Sequence, residues 1–336
     1  MAKRVAHPAM VIAIMTICAG CADTGADLAF FKDKTITIIV PHGPGGMDLY
    51  ARAIAPYLQK YLPGSRLEVK NVPEGGGIAG RNEVYAAKPD GLTLGFTTTA
   101  GALLAEWAGQ PDVRYSTARF SYIGRVNAEA HVMVASPRTG FRTLADIVRA
   151  KKVVMGFAGV SSDDYYVALI TARLLGFEVD ARTRFLGIND ASLACVRGEV
   201  DAILFSASSV MPQITAKTVV PIVSYGDVAP SDQSGLPTIF ESIPAGKKPL
   251  IQTLVHMYAL ERTLFAPPSL SEGRLKTLRD ALDKAVADPE FRSGMKAVQR
   301  PVNYLGGSET TALLMDILAY EAEIKPLVRL IATGSS

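Results

Sequence analysis

Cysteine and histidine are scarce in this chain, three and four among 336 residues. Cys18 and Cys21 lie near the start, which leaves Cys195 alone in the body of the sequence and rules out a disulfide framework. Cys195 sits in AlaSerLeuAlaCysVal, beside apolar neighbours at helical spacing, and reads as a small core residue, not a nucleophile. His7, His42, His131 and His256 stand singly, without metal-ligand spacing, and there is no G-x-S-x-G turn. Catalysis has little to stand on, and no metal or cofactor is expected. An excess of one charge is missing as well. The formal net charge is +3, falling to +1 without Lys3 and Arg4, and no basic block invites nucleic acid. Tandem repeats and low-complexity segments are absent.

What remains is the composition of an ordinary soluble protein, 49% apolar and 20% charged, long enough for two domains with a core each. The start differs. Lys3 and Arg4 precede an apolar run from Ala9 to Ile17, too short to span a membrane, and then CysAlaGlyCys ending at Cys21. That is the pattern of an export signal over residues 1–21. Either Cys21 is acylated as in a lipoprotein, or ordinary cleavage follows Ala22; both routes place the protein outside the cytoplasm. Residues 22–34 are then expected to be a short tether.

From there, strand and helix patterns alternate. Strands are predicted at Thr35 to Val40, Leu67 to Asn71 and Leu92 to Thr97, with helices at Asp48 to Tyr61, kinked at Pro56, and Ala79 to Ala87. This βαβ order implies a parallel sheet whose ligand crevice lies at the carboxyl ends of its strands. Residues 98–119 read as irregular. A second series follows, with strands at Tyr122 to Val126, His131 to Ser136, Val153 to Phe157, Arg184 to Leu186, Ala202 to Phe205 and Val219 to Ser224. Its helices are expected at Asp164 to Leu175 and Asp190 to Arg197, and Thr143 with Asp146 has the spacing of a helix cap. A strand at Thr253 to Ala259 and amphipathic helices at Leu275 to Val286 and Thr310 to Ile331 complete the chain.

Two glycine-rich loops say most about function. ValProHisGlyProGlyGly at 40–46 and AsnValProGluGlyGlyGlyIleAlaGly at 71–80 each join a strand to a helix, so unpaired N–H groups face whatever sits above them. Such backbone suits a small anion. These loops, with AspLeuTyrAlaArg at 48–52, LysProAspGlyLeuThrLeuGly at 88–95, ThrLeuAlaAspIle at 143–147, ArgGlyGluValAspAla at 197–202, LeuProThrIlePheGlu at 236–241, PheAlaProPro at 265–268 and AspProGluPhe at 288–291, resemble in order the substrate receptors of tripartite tricarboxylate transporters.

The resemblance implies an α/β, type II periplasmic-binding-protein fold, two doubly wound lobes joined by two crossing strands. The first lobe would be residues 35–136 with 257–336, the second 137–256, and the crossings Val134 to Pro137 and Leu250 to Met257. It implies a non-enzymatic, monomeric receptor that holds a small carboxylate between its lobes and passes it to membrane transporter subunits, with a lipid anchor at Cys21 if that residue is acylated. A clamshell of this kind also serves ligand sensing for a signalling partner. A nucleotide-dependent enzyme is the third reading, because GlyGlyGlyIleAlaGly at 75–80 satisfies G-x-G-x-x-G; no acid follows at the distance a ribose contact requires.

On the first lobe the expected ligand-binding residues are His42, Gly43, Gly45, Gly46 and Met47, with Thr97, Thr98 and Thr99 after the third strand. On the second they are Gly159, Ser161, Ser162 and Asp163 at a helix start, Asn189, and Ser206. His42 replaces the family's aromatic residue, and Asp163 with Asp164 departs from its usual pattern. Those two acids either cap the helix or face the cleft, where they would repel a second carboxylate and favour a monoacid, an amide or an amine.

Overall fold

Two mixed sheets organise the computed structural model, which describes residues 24–160, 162–185, 187–226 and 235–333. The export segment with Cys21, and Ser161, lie outside the described residues. The first sheet contains β1 (Thr35–Val40), β2 (Arg66–Asn71), β3 (Thr93–Thr97), β4 (Ser121–Arg125), β10 (Thr263–Ala266) and β11 (Leu305–Gly306), in the order β11-β4-β10-β3-β1-β2. β1 pairs in parallel with β2 and β3, as the βαβ pattern requires, and β10 inserts antiparallel between β3 and β4. The second sheet, in the order β7-β6-β8-β5-β9, contains β5 (His131–Ala135), β6 (Lys152–Gly156), β7 (Glu178–Arg182), β8 (Ala202–Ser206) and β9 (Val220–Tyr225).

Helices α1 (Thr24–Phe30), α2 (Gly46–Tyr61), α3 (Ile78–Ala86) and α4 (Thr99–Ala108) belong to the first part of the chain. α5 (Leu144–Ala150), α6 (Asp163–Leu175), α7 (Ile188–Arg197), α8 (Ala207–Thr215), α9 (Ile239–Ser242) and α10 (Lys248–Met257) follow. α11 (Glu272–Ala287), α12 (Pro289–Ala297), α13 (Gly307–Leu318) and α14 (Glu321–Ala332) close it. Thr143 and Asp146 form the expected capping box of α5. Pro56 lies inside α2, and the single helix expected at 310–331 is two, α13 and α14.

Several elements differ from the sequence reading for identifiable reasons. Residues 99–108 are a helix whose Ala100, Leu103, Leu104 and Trp107 are all buried. A helix buried on every side has no amphipathic period to detect. α4 packs against α6 and α14, so one apolar cluster runs between the two lobes. β7 replaces the strand expected at 184–186; Arg184 and Phe185 are outside it, and Leu186 is not described. As an edge strand, GluValAspAlaArg need not be apolar. The strand expected at 253–259 is instead α10 and the turn after it. Pro249 opens α10 and Ile251, Leu254 and Val255 form its buried face.

The crossings move accordingly. β5 already pairs with β8 and β9, so the chain leaves the first sheet at 126–130, before the expected Val134 to Pro137. It returns directly before β10, beyond the expected Leu250 to Met257. The two crossings run side by side, the Val126 N–H donating to the Arg262 carbonyl at 2.9 Å.

The described part of the expected tether, residues 24–34, is folded. α1 packs on α11, the Arg274 guanidinium lies 3.7 Å from the Phe30 ring centroid, and Phe31 is fully buried. Phe31→Ala should therefore cost about 3–5 kcal/mol, seen as a lower urea midpoint of the first lobe; an unmoved midpoint would make this segment dispensable to the fold.

Candidate functional site

A cavity of about 70 Å³ lies between the two sheets, where α2, α6, α7 and α8 all begin. The loop after β1 contributes Gly43, Gly45, Gly46 and Met47; the second lobe contributes Ser162, Asp163 and Asp164 from α6, Gly187 and Ile188 from α7, and Ser206 and Ser209 around the start of α8. Thr98, the N-cap of α4, completes the wall. Each helix start presents fixed partial positive charge from its unpaired N–H groups, about 0.3–1 kcal/mol per end when exposed. Several converging ends in an enclosed site make an anion receptor without lysine.

The lobes touch around this cavity, and glycine permits it. A methyl group added at Gly46 would stand 2.6 Å from Ser209 Oγ, and one at Gly159 2.8 Å from Gly76 Cα. A Cβ at either position would hold the lobes apart. The loop at 75–80 has a different use: Gly77 and Gly80 pack against Pro41 and do not line the cavity.

Of the residues expected from sequence, His42, Gly43, Gly45, Gly46, Met47, Thr98, Ser162, Asp163 and Ser206 line the cavity. Thr97 lies behind it, its Oγ1 2.8 Å from His42 Nε2 and 3.3 Å from Arg81 Nη2. Burial, with the Arg81 charge, lowers the His42 imidazole to about 3. His42 is therefore neutral and polar at physiological pH. Thr99 is buried in the first turn of α4, Gly159 meets the other lobe and not the cavity, and Asn189 points away, exposed on α7. Cys195 is buried in the core with its thiol pushed up to about 12 by burial and by Asp201, which fits a structural role.

The sequence reading missed the charged residues of the crossings. Arg262, 1% exposed, places Nη1 2.9 Å from Glu129 Oε1 and 2.5 Å from Glu261 Oε2, donates from Nη2 to Ser206 Oγ at 2.9 Å, and stacks over the Tyr50 ring. Its φ of 44° is in the left-handed region, uncommon for such a side chain. Glu129 also accepts from Ser208, at N and Oγ, so its carboxylate is fully engaged. His131, at the start of β5, sits with Nδ1 2.6 Å from Asp164 Oδ1 and its ring stacked on Tyr258, centroids 3.6 Å apart; the Tyr258 hydroxyl donates to Asp164 at 3.2 Å. GluArg before the apolar run of β10 was the only sequence signal of this cluster, and adjacent charges at a strand start are common at surfaces.

The cluster holds protons tightly. Burial raises Asp164 to about 7, opposed by His131 and reinforced by Asp163. Burial lowers His131, but the charges of Asp164 and Glu261 overcome it and hold the imidazolium well above its ordinary value. Both groups bind protons more firmly in the folded protein than in the unfolded chain. Stability gained this way is complete below the ordinary carboxylate and imidazole values and is lost as pH rises through about 7 and beyond. Neutral His42 works the other way, since the unfolded chain takes up a proton there below about 6.5; Asp164 and His131 together outweigh it, so the unliganded protein should be less stable at pH 8 than at pH 5, with Asp164→Asn flattening the slope in urea titrations. A wild-type slope that rises across this window would contradict the protonated cluster.

Two α/β lobes joined by paired crossings, with helix starts from both enclosing one polar cavity, define the class of bilobal solute-binding proteins. The family model described as tripartite tricarboxylate transporter family receptor matches residues 50–326, and the chain belongs to that family, one of receptors and not enzymes. It is 25% identical over 300 residues to a UPF0065 protein from the tcbD-tcbE intergenic region of Pseudomonas sp. (strain P51), covering 87% of this chain and 84% of that one. Among solved structures it is similar to the periplasmic binding protein BugD (TM-score 0.73, 20% identity, 88% of this chain and 97% of that one). It is also similar to MatC from Rhodopseudomonas palustris with bound malate (TM-score 0.72, 21% identity, 88% and 99%).

Proposed function

We propose that this protein is an exported receptor that captures a small organic acid between its lobes and delivers it to the membrane subunits of a tripartite tricarboxylate-type transporter. The observation that carries the reading is the convergence of α2 from one lobe with α6, α7 and α8 from the other on a single enclosed cavity. Such an arrangement is complete only when the lobes are together, so binding energy is spent on closure. The malate held by MatC supports a carboxylate as the solute class. Among the described residues no helix is long and apolar enough to cross a membrane, and in this reading acylation of Cys21 supplies the membrane anchor of a monomeric receptor.

A thermal-shift screen of the mature protein against mono-, di- and tricarboxylates, amides and amino acids tests this. For a micromolar solute at millimolar concentration, stabilisation of about 4 kcal/mol is expected, several degrees in Tm. Gly46→Val should weaken binding of any solute found at least tenfold while the variant still unfolds cooperatively, since its side chain meets Ser209 across the cleft. Undiminished affinity in that variant would remove the first loop from the site.

A further inference from the structure

Three arginines, Arg81, Arg262 and Arg300, donate into short hydrogen-bond chains that end at the cavity wall. An arginine carries no acceptor, so each chain passes protons only away from it. On the second lobe, Arg262 Nη2 donates to Ser206 Oγ at 2.9 Å and Arg300 Nη1 to Ser209 Oγ at 3.3 Å, and the two hydroxyls bond to each other at 2.9 Å. Two hydroxyls carry two protons. One is spent between them, the other has no acceptor among the described residues, and both serines line the cavity. Ser208 differs: it accepts from Arg300 at 2.9 Å and spends its proton on Glu129 at 2.6 Å.

The first lobe has the same construction. Arg81 Nη2 donates to Thr97 Oγ1 at 3.3 Å, and that hydroxyl lies 2.8 Å from His42 Nε2. Thr97 is fully buried, and His42 Nε2 is the one acceptor in reach of its proton among the described residues. A proton on Nε2 would leave the Thr97 proton buried without a partner, which is costly. Nε2 therefore accepts, and the neutral imidazole keeps its proton on Nδ1. Nδ1 makes no hydrogen bond among the described residues and, unlike His131 Nε2, is not closed off; the ring lines the cavity.

We infer that the solute is held between two directed donors, the spare proton of the Ser206–Ser209 pair on one lobe and His42 Nδ1–H on the other, with Arg81, Arg262 and Arg300 as the positioning residues that aim them. The inference rests on the receptor reading and deepens it. The solute offers each lobe an oxygen that only accepts, as an ionised carboxylate does and an ammonium does not. Arg300 acts from outside the cavity, occupying the outer side of Ser209 Oγ so that the hydroxyl proton turns inward. His42 stands where the family has an aromatic residue, so this donor is a departure from the family's wall.

Two measurements test the inference. In the ring-nitrogen NMR spectrum of the solute-free protein, His42 should show a bare Nε2 and a protonated Nδ1, and Thr97→Val should relax that preference. A protonated Nε2 in the wild type would overturn the inference. The second uses calorimetry, with L-malate or the carboxylate of the screen that raises Tm most as the probe. Ser206→Ala and Ser209→Ala should each weaken binding only about twofold, because the remaining hydroxyl still turns one proton inward, whereas the double variant should weaken it about twentyfold. Packing losses multiply instead, so a double variant no weaker than the product of the singles, or a single as weak as the double, would also overturn it. If the double variant does not fold, Arg300→Met decides: binding about threefold weaker is expected from the lost aim of Ser209, and unchanged affinity sinks the inference. A carboxylate bound with indifference to these variants leaves the receptor reading standing, whereas no binding by any carboxylate removes both.

Discussion

The Arg262 guanidinium ties the molecule together. It lies on the returning crossing, pairs with Glu261 beside it and with Glu129 on the outgoing crossing, and donates to Ser206 in the second lobe while its face covers Tyr50 in the first. Buried ion pairs of this kind contribute little net stability, since desolvation offsets much of the attraction, but removing one partner leaves a bare charge and is costly. Their effect here is geometric. The left-handed backbone at Arg262 is held by bonds to both crossings and both lobes, which fixes where the second lobe hangs relative to the first.

That placement explains why the cavity sits where it does. In each lobe a strand of the sheet runs into a helix that begins at the cavity, α2 after β1 and α8 after β8, so joining the lobes at Arg262 brings these positive ends to one point. One flank of the junction is an apolar seam in which Trp107, Tyr166, Ile324 and Val328 are buried between α4, α6 and α14. The other is polar, closed by the Thr98 to Asp163 hydrogen bond and by glycine contacts. Apolar contact on one side resists separation in water, while hydrogen bonds on the other exchange readily for water.

Family membership and ligand choice depend on different features. Helix starts around a cleft are backbone features that tolerate wide change in side chains, which is why a chain 21% identical to MatC keeps the fold with a TM-score of 0.72. Ligand choice lies in the few side chains on the wall. In this chain they are a neutral His42, the acids Asp163 and Asp164, and a His131 paired with Asp164. A cleft ringed by helix starts is thereby given an acidic side.

The sequence by itself determined the alternating architecture, the two-lobed class and most of the first-lobe wall of the cavity. β-branched runs, caps and glycine loops are local signals, and residues of the loop at 42–47 line the cavity. Cavity lining by Thr98, Ser162, Asp163 and Ser206 was legible for the same reason, since each marks a helix start. Tertiary structure alone decided the rest. α4 is buried on all sides, so its pattern has no polar face, and α10 looks like a strand until its apolar residues find a common neighbour. Glu129, His131, Glu261 and Arg262 are unremarkable charges in sequence, more than 130 positions separating Glu129 from Arg262. They become a network only where the two crossings lie side by side, because long-range pairing of charges leaves no periodic trace in the chain.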